Sequence, residues 1–326
     1  MKVSLLSLFL APFLIFQLHA QCCGGGSGCP IAGGASQGVL MEHQMEIGTN
    51  LQYVRTHNFL EGDSPIRDFL DDFHSTYLYS RVAYGLSEDL TMSVESGYWI
   101  TKTQIGLNHI DTAKGNGIGD LLLFPRYTLY RNNSASTSTE VTLGLGLKFP
   151  LGNYQDSVRV GTTPFYSRKP LAVQMSSGAQ DVIFYAFVFR GYNDWNVNFF
   201  ANALYIHKGW NSVGEKLGDF ASVSVFASTK IFTTLSGVLQ LKAEWVDTMK
   251  INSVIFDNHN PGYEPTWTGY KKIFVSPQLS YVIAPGFMST LMIEVPIWQF
   301  VNGRQIASQF QASVGLSYRF MLIDAD

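Results

Sequence analysis

The stretch Ser313-Val314-Gly315-Leu316-Ser317-Tyr318-Arg319-Phe320 near the C-terminus alternates residue by residue. Extended upstream, Phe310, Ala312, Val314, Leu316, Tyr318 and Phe320 form an apolar set, and Gln309, Gln311, Ser313, Gly315, Ser317 and Arg319 alternate with it. Successive side chains of a strand point to opposite faces. One face here suits lipid and the other suits water, which is the dyad of a transmembrane barrel strand ending on an aromatic. A soluble sandwich strand alternates too, so the rest of the chain has to decide.

Working back from this strand, strand-like segments fall near 43–56, 73–85, 90–101, 120–130, 139–149, 182–190, 195–207, 219–229, 236–247, 272–283, 287–297 and 307–320. That makes twelve. An even number of strands about ten residues long returns both chain ends to the same side of a membrane, as a single-chain bacterial barrel requires. The breaks alternate as well. Those at 57–72, 102–119, 150–181, 208–218, 248–271 and 298–306 are mostly long. Those at 86–89, 131–138, 191–194, 230–235 and 284–286 are short, and all but 230–235 carry Gly, Asn, Asp or Pro turn chemistry. Long outer loops and tight periplasmic turns are the asymmetry of outer-membrane proteins, and a sandwich has no reason to sort its loops this way. The expected fold is therefore all-β, a single antiparallel transmembrane barrel of about twelve strands.

Outward sets such as Leu90, Met92, Val94, Tyr98 and Ile100, or Val141, Leu143, Leu145, Leu147 and Phe149, agree with a lipid-facing wall. Tyr53, Tyr98, Phe149, Tyr205 and Trp245 would form an outer aromatic girdle, with Tyr84, Tyr127, Tyr281, Tyr318 and Phe320 as the inner one. Pro125 and Pro277 sit inside expected strands. Each removes a ladder donor, so a bulge or local break is expected at both.

The N-terminus reads as a secretory signal over 1–20: Lys2, an apolar run from Val3 to Leu18, and Leu18-His19-Ala20 ahead of a cut. Gln21 directly before Cys22 disfavours lipoprotein processing. Residues 21–42 form a Gly- and Cys-rich periplasmic tail, 43–320 the barrel and 321–326 a C-terminal tail. The three cysteines, Cys22, Cys23 and Cys29, all lie in the first tail. Their thiolates would suit Cu(I) or Zn, but no His-Cys spacing accompanies them, so no cofactor is expected. Charged residues make up only 14% of the chain and aromatics another 14%. That is far below the roughly 25% charge of soluble domains. With a net charge of −3 there is no basic footprint, which excludes nucleic acid as an expected partner.

The inward set is read as polar and sparsely charged. Glu95, Arg126, Lys148, Lys242, Glu244, Glu294 and Arg319 are the candidate pore-lining residues, among Asn196, Asn198, Asn202, Gln240, Gln278, Gln309 and Gln311. Such charges either brace the wall or line a path. Of Glu95, Lys148, Glu244 and Glu294, three are acidic and only one is Lys, so unpaired charge is expected to line a path. Twelve strands leave a narrow lumen, between filled eight-stranded barrels and wide porins. No Ser-His-Asp or His-Glu-x-x-His arrangement occurs, so no enzyme is expected. His57, His109, His207 and His259 share the outer loops with several Asp residues, read as a solvated loop face.

Several segments together resemble the outer-membrane transporter family named for the meta pathway of phenol degradation. Gly117-Ile118-Gly119-Asp120 with Arg126-Tyr127-Thr128-Leu129 looks like its Gly-x-Gly-Asp strand start. Gly144-Leu145-Gly146-Leu147-Lys148-Phe149-Pro150-Leu151-Gly152 is similar to its Gly-Leu-Gly-Leu-Lys-Leu-Pro-Thr-Gly element, with Leu151 in place of Thr. Ser177-Gly178-Ala179-Gln180-Asp181 resembles the strand start after its long loop, and Glu294-Val295-Pro296-Ile297-Trp298-Gln299-Phe300-Val301-Asn302-Gly303-Arg304-Gln305 its C-terminal stretch. The resemblance implies an outer-membrane barrel taking up hydrophobic or aromatic compounds. The cysteine cluster lies outside that pattern. The expected protein is an outer-membrane channel for small solutes in a Gram-negative bacterium. Its expected partners are outer-membrane lipid, the solute and the barrel-assembly machinery, met through the C-terminal strand. The alternative is a structural or partner-binding barrel with a blocked lumen, metal-related through its cysteines.

Overall fold

A computed structural model describes residues 38–66, 70–106, 112–159, 166–253 and 264–322. Twelve long strands form the wall: β1 Gln44–Thr56, β2 Leu70–Gly85, β3 Leu90–Gly106, β4 Leu121–Asn133, β5 Thr137–Phe149, β6 Asp181–Tyr192, β7 Val197–His207, β8 Phe220–Lys230, β9 Leu235–Val246, β10 Tyr270–Ala284, β11 Phe287–Ile306 and β12 Phe310–Met321. Each pairs antiparallel with its neighbours in sequence, and β1 pairs with β12 from Gln44↔Met321 to Arg55↔Phe310, closing the sheet. Closure removes every free edge, which a bilayer demands because it cannot solvate unpaired backbone.

The period of two persists through burial. Along β3, Thr91, Ser93, Glu95, Gly97 and Trp99 are buried and Met92, Val94, Tyr98 and Ile100 exposed. Along β5, Leu143, Leu145 and Leu147 are exposed beside inward Thr142, Gly146 and Lys148. A surface of this many exposed Leu, Val, Ile and aromatic side chains is stable only against hydrocarbon. No helix among the described residues is long and apolar enough to cross a membrane.

The short connections and both ends of the barrel chain share one rim, here called periplasmic because outer-membrane barrels keep short turns there. One expected outer break is itself strand. Residues 298–306 continue β11 to Ile306, where the extended end pairs with Phe59–Gly62, and only 307–309 separate it from β12. The irregularities also moved. The ladder omits Pro125 on its β5 side and Pro277 on its β11 side, yet register holds through both. Shifts occur instead at Thr128/Tyr130 and Ile273/Phe274, so a missing donor is tolerated where the flanking pairs keep the spacing. Asn196, expected in the inward set, lies in the β6–β7 turn at φ 52, and Gln309 lies in the short β11–β12 connection.

Candidate functional site in the barrel lumen

All seven charged candidates point inward, and the wall gathers them with partners that the sequence did not single out. At the periplasmic half of β1–β3, Arg81 Nη1 lies 3.1 Å from Glu46 Oε1 and its Nε 3.5 Å from Glu95 Oε1. Arg319, from the far side of the β1–β12 seam, donates to Glu46, and the Tyr79 hydroxyl donates to Glu95. On the opposite flank Lys242 Nζ is 2.8 Å from Glu244 Oε1 and 2.8 Å from Glu294 Oε2, while Ser276 Oγ donates to Glu294 at 3.1 Å. Toward the outer rim Lys148 Nζ lies 2.6 Å from Asp120 Oδ2 and 3.1 Å from Asp181 Oδ2, with Lys208 closing on the same Asp181 at 3.0 Å. Arg126, 1% exposed, stands with its guanidinium carbon 5.8 Å from the Phe124 ring.

The expectation of unpaired acid therefore fails. Glu95 has Arg81, and one Lys242 serves Glu244 and Glu294 together. Arg81 and Glu46 were legible by parity, since each falls on the inward phase of its strand. The missed signal was that two inward strands carrying opposite charges lie next to each other in chain order.

The second correction concerns one sector of the wall, where apolar side chains form a continuous cluster beside polar ones such as Ser222, Ser224 and Arg126. Ile183, Tyr185, Phe187 and Phe189 on β6, Phe200, Leu204 and Ile206 on β7, and Phe220 and Phe226 on β8 face the lumen, joined by Leu122 and Phe124 from β4. Their rings run in a chain: Phe124 and Tyr185 have centroids 5.7 Å apart, Tyr185 and Phe187 6.5 Å, Phe187 and Phe200 6.3 Å, and Phe200 and Phe226 4.5 Å. Edge-to-face and offset contacts of this kind add to simple burial. Phe124 lies across β5, where Gly144 and Gly146 point inward. A Cβ at either would sit 2.9 Å from the Phe124 ring, so the two glycines of the Gly-Leu-Gly-Leu-Lys run make room for it.

Across the lumen from this wall, the β12–β1 seam presents the buried uncharged side chains Asn50 and Gln52 from β1 and Gln311 and Ser313 from β12, with the Glu46–Arg319 pair at its periplasmic end. Farther round, Gln278 Nε2 donates to Gln240 Oε1 at 3.0 Å, and Gln240 Nε2 to Ser224 Oγ at 3.1 Å.

Both mouths are narrowed. At the periplasmic rim the residues before β1 reach across the opening: Leu40 N donates to Thr91 Oγ1 on β3 at 2.8 Å, and Val39 N to Glu140 Oε1 on β5 at 3.2 Å. At the outer rim the 3-10 turn Leu171–Val173 puts Ala172 against Phe59, Phe73 and Ile306, and Lys102 Nζ donates to Gln174 O at 2.7 Å. Just outside the wall, Asp219 gathers Lys208 N at 2.8 Å, Tyr205 OH at 3.0 Å and His207 Nδ1 at 3.1 Å. Partial burial would raise that carboxyl, but these partners and Lys216 outweigh it and hold it below the ordinary range.

No three metal-ligating side chains cluster among the described residues. The candidate ligands Cys22, Cys23 and Cys29, the signal segment, and His109 and His259 lie outside the described residues.

No family model matches the chain. A search of curated proteins also finds no match. Among solved structures, an outer membrane channel from Pseudomonas putida F1 superposes with a TM-score of 0.67 at 14% identity, over 88% of this chain and 99% of that one. The NanC porin gives 0.44 at 12% identity over 84% and 98%, and a Pseudomonas aeruginosa FadL homologue 0.41 at 10% over 86% and 90%. The first likeness, with the closed wall described above, makes the fold an outer-membrane β-barrel of porin-like type.

Proposed function

We propose that the protein is an outer-membrane channel of a Gram-negative bacterium that passes small hydrophobic or aromatic solutes, as a member of the transporter family named for the meta pathway of phenol degradation. The observation that carries this reading is the apolar, aromatic lumen wall along β6–β8. Phe187, Phe200 and Phe226 offer a hydrated ion nothing to coordinate it, whereas an apolar solute loses nothing on meeting them. Six of the seven charged candidates are ion-paired, Lys242 with Glu244 and Glu294, Glu95 with Arg81, Arg319 with Glu46 and Lys148 with Asp120 and Asp181, and this pairing supports a bracing role beside the path. The 1–20 segment would be removed on export, the 21–42 tail would remain periplasmic, and the C-terminal strand would be read by the barrel-assembly machinery.

Uptake of N-phenyl-1-naphthylamine by intact cells with and without the barrel tests the reading, because the lipopolysaccharide leaflet otherwise holds this dye out. Faster uptake with the barrel is expected; equal rates overturn the proposal. The second reading, a partner-binding barrel with a blocked lumen, draws on the narrowed mouths at Leu40 and Ala172. It predicts equal rates even after residues 1–40 are removed.

A further inference from the structure

On the lipid-facing side of the outer rim, one cation has no carboxylate. Lys271 lies between inward Tyr270 and Lys272 on β10, so it takes the outward phase, exposed and with no ion pair or hydrogen bond among the described residues. Large rings surround it on the same face. Across the ladder it pairs with Trp245 of β9 on one side and Phe300 of β11 on the other, and Trp298 stands opposite Ile273 one rung nearer the bilayer centre. All three aromatic side chains are exposed.

Other cations of this rim hold acids of the protein. Arg55 Nε lies 3.0 Å from Asp72 Oδ1, Arg304 Nε 3.2 Å from Glu61 Oε2, and Lys216 Nζ 3.5 Å from Asp219 Oδ1. Asp247, just past Trp245 on the same phase, accepts from Thr248 N at 2.8 Å instead of meeting Lys271.

Strand length fixes the depth of this charge. Tyr281, ten residues farther along β10 on the same phase, is exposed at the periplasmic girdle. Ten residues rising ~3.3 Å each and inclined at roughly 40° cover about 25 Å of membrane depth, the height of the apolar band of such barrels. Lys271 therefore stands where hydrocarbon gives way to headgroups on the outer leaflet. A cation fixed by a strand at that boundary draws its counter-charge from anionic lipid, and aromatic rings favour the same level.

We propose that Lys271, framed by Trp245, Trp298 and Phe300, is a docking point for a phosphate of lipid A, the glycolipid of the outer leaflet. The ammonium pairs with the phosphate, and the rings lie against the glucosamine and the first methylenes of its acyl chains. The site is outside the lumen, so it rests on the outer-membrane fold and stands or falls separately from conduction.

The test titrates the purified barrel in dodecyl maltoside with bisphosphorylated lipid A, with lipid A stripped of its phosphates, and with phosphatidylglycerol. The parent is compared with Lys271→Gln and with Lys230→Gln, a control for the loss of an exposed lysine at the periplasmic end of β8. Heat-modifiable gel migration confirms that each variant folds. Lys271→Gln is expected to weaken binding of bisphosphorylated lipid A about fivefold, the factor that one lysine contributes at an anionic lipid surface. Lys230→Gln should leave that binding unchanged, and the phosphate-free lipid should bind the parent and Lys271→Gln alike. The proposal is overturned if the parent binds no lipid A, if Lys271→Gln matches the parent, or if Lys230→Gln loses as much. It is overturned as well if phosphate-free lipid A or phosphatidylglycerol binds the parent as tightly as the bisphosphorylated form.

Discussion

Replacing Lys242 by Met removes the one cation that Glu244 and Glu294 share. Both carboxylates lie 2.8 Å from its Nζ, so the two oxygens stand within about 6 Å of each other. At that separation two like charges repel by about 3 kcal/mol for an effective dielectric of ~20. Among their other partners, the Ser276 hydroxyl donates to Glu294 at 3.1 Å and the Tyr270 hydroxyl to Glu244 at 3.3 Å, and neither hydroxyl carries charge. Lys242→Met should therefore cost about 3–5 kcal/mol, as expected when one partner of a buried cluster is removed. Met is close to Lys in length and apolar along its stem, so the loss falls on the charge, including the cation–π contact of Nζ at 4.8 Å from the Phe274 ring centroid. Adding Glu244→Gln and Glu294→Gln to the same chain removes the repulsion and should return most of the loss. Urea midpoints of the refolded barrel in lipid vesicles provide the measurement. A loss below about 1 kcal/mol for Lys242→Met, or no recovery in the triple variant, would refute the view that these charges brace the wall.

The in/out assignment predicts that Leu145→Arg, near the middle of an exposed stripe, costs about 2–4 kcal/mol, because hydrocarbon cannot solvate a guanidinium; equal loss from inward Gln311→Arg would contradict it. Gly146→Val should cost about 1–3 kcal/mol by overpacking, since its Cβ would meet Phe124 at 2.9 Å and Ile183 at 3.0 Å, and Phe124→Leu should recover part of that in the same unfolding assay. With its carboxyl held low, Asp219 stabilises the outer rim above the unfolded carboxylate range and loses that effect as pH falls through its lowered value. The protection factors of amides near Lys208, corrected for intrinsic exchange, should fall on acidification in the parent and be insensitive to it in Asp219→Asn. N-terminal mass analysis should find Gln21 as the first residue, with no diacylglyceryl mass on Cys22.

Twelve strands and their phases were legible because a wall between lipid and water imposes a period of two, clearest in β3, β5 and β12. The apolar lumen wall was not legible for the same reason. In Val182-Ile183-Phe184-Tyr185-Ala186-Phe187-Val188-Phe189 both faces are apolar, so the alternation that would separate them vanishes. Read singly, charges such as Glu95 and Lys242 look unpaired, because their partners come from neighbouring strands whose register no single strand reveals. The extension of β11 to Ile306 was hidden by Asn302-Gly303, which reads as a turn but bends within a strand, with Gly303 at φ 60.

The claim on which all of this depends is that the lumen conducts. Single-channel recording of the purified barrel in planar bilayers measures it directly, first for the whole mature chain and then with residues 1–40 removed to clear the Leu40 contact at the periplasmic mouth. The account predicts small, discrete conductance steps that grow on truncation and shrink when a bulky residue replaces Ser224 beside Gln240. A barrel that is silent in both forms would contradict it and leave the partner-binding reading in its place.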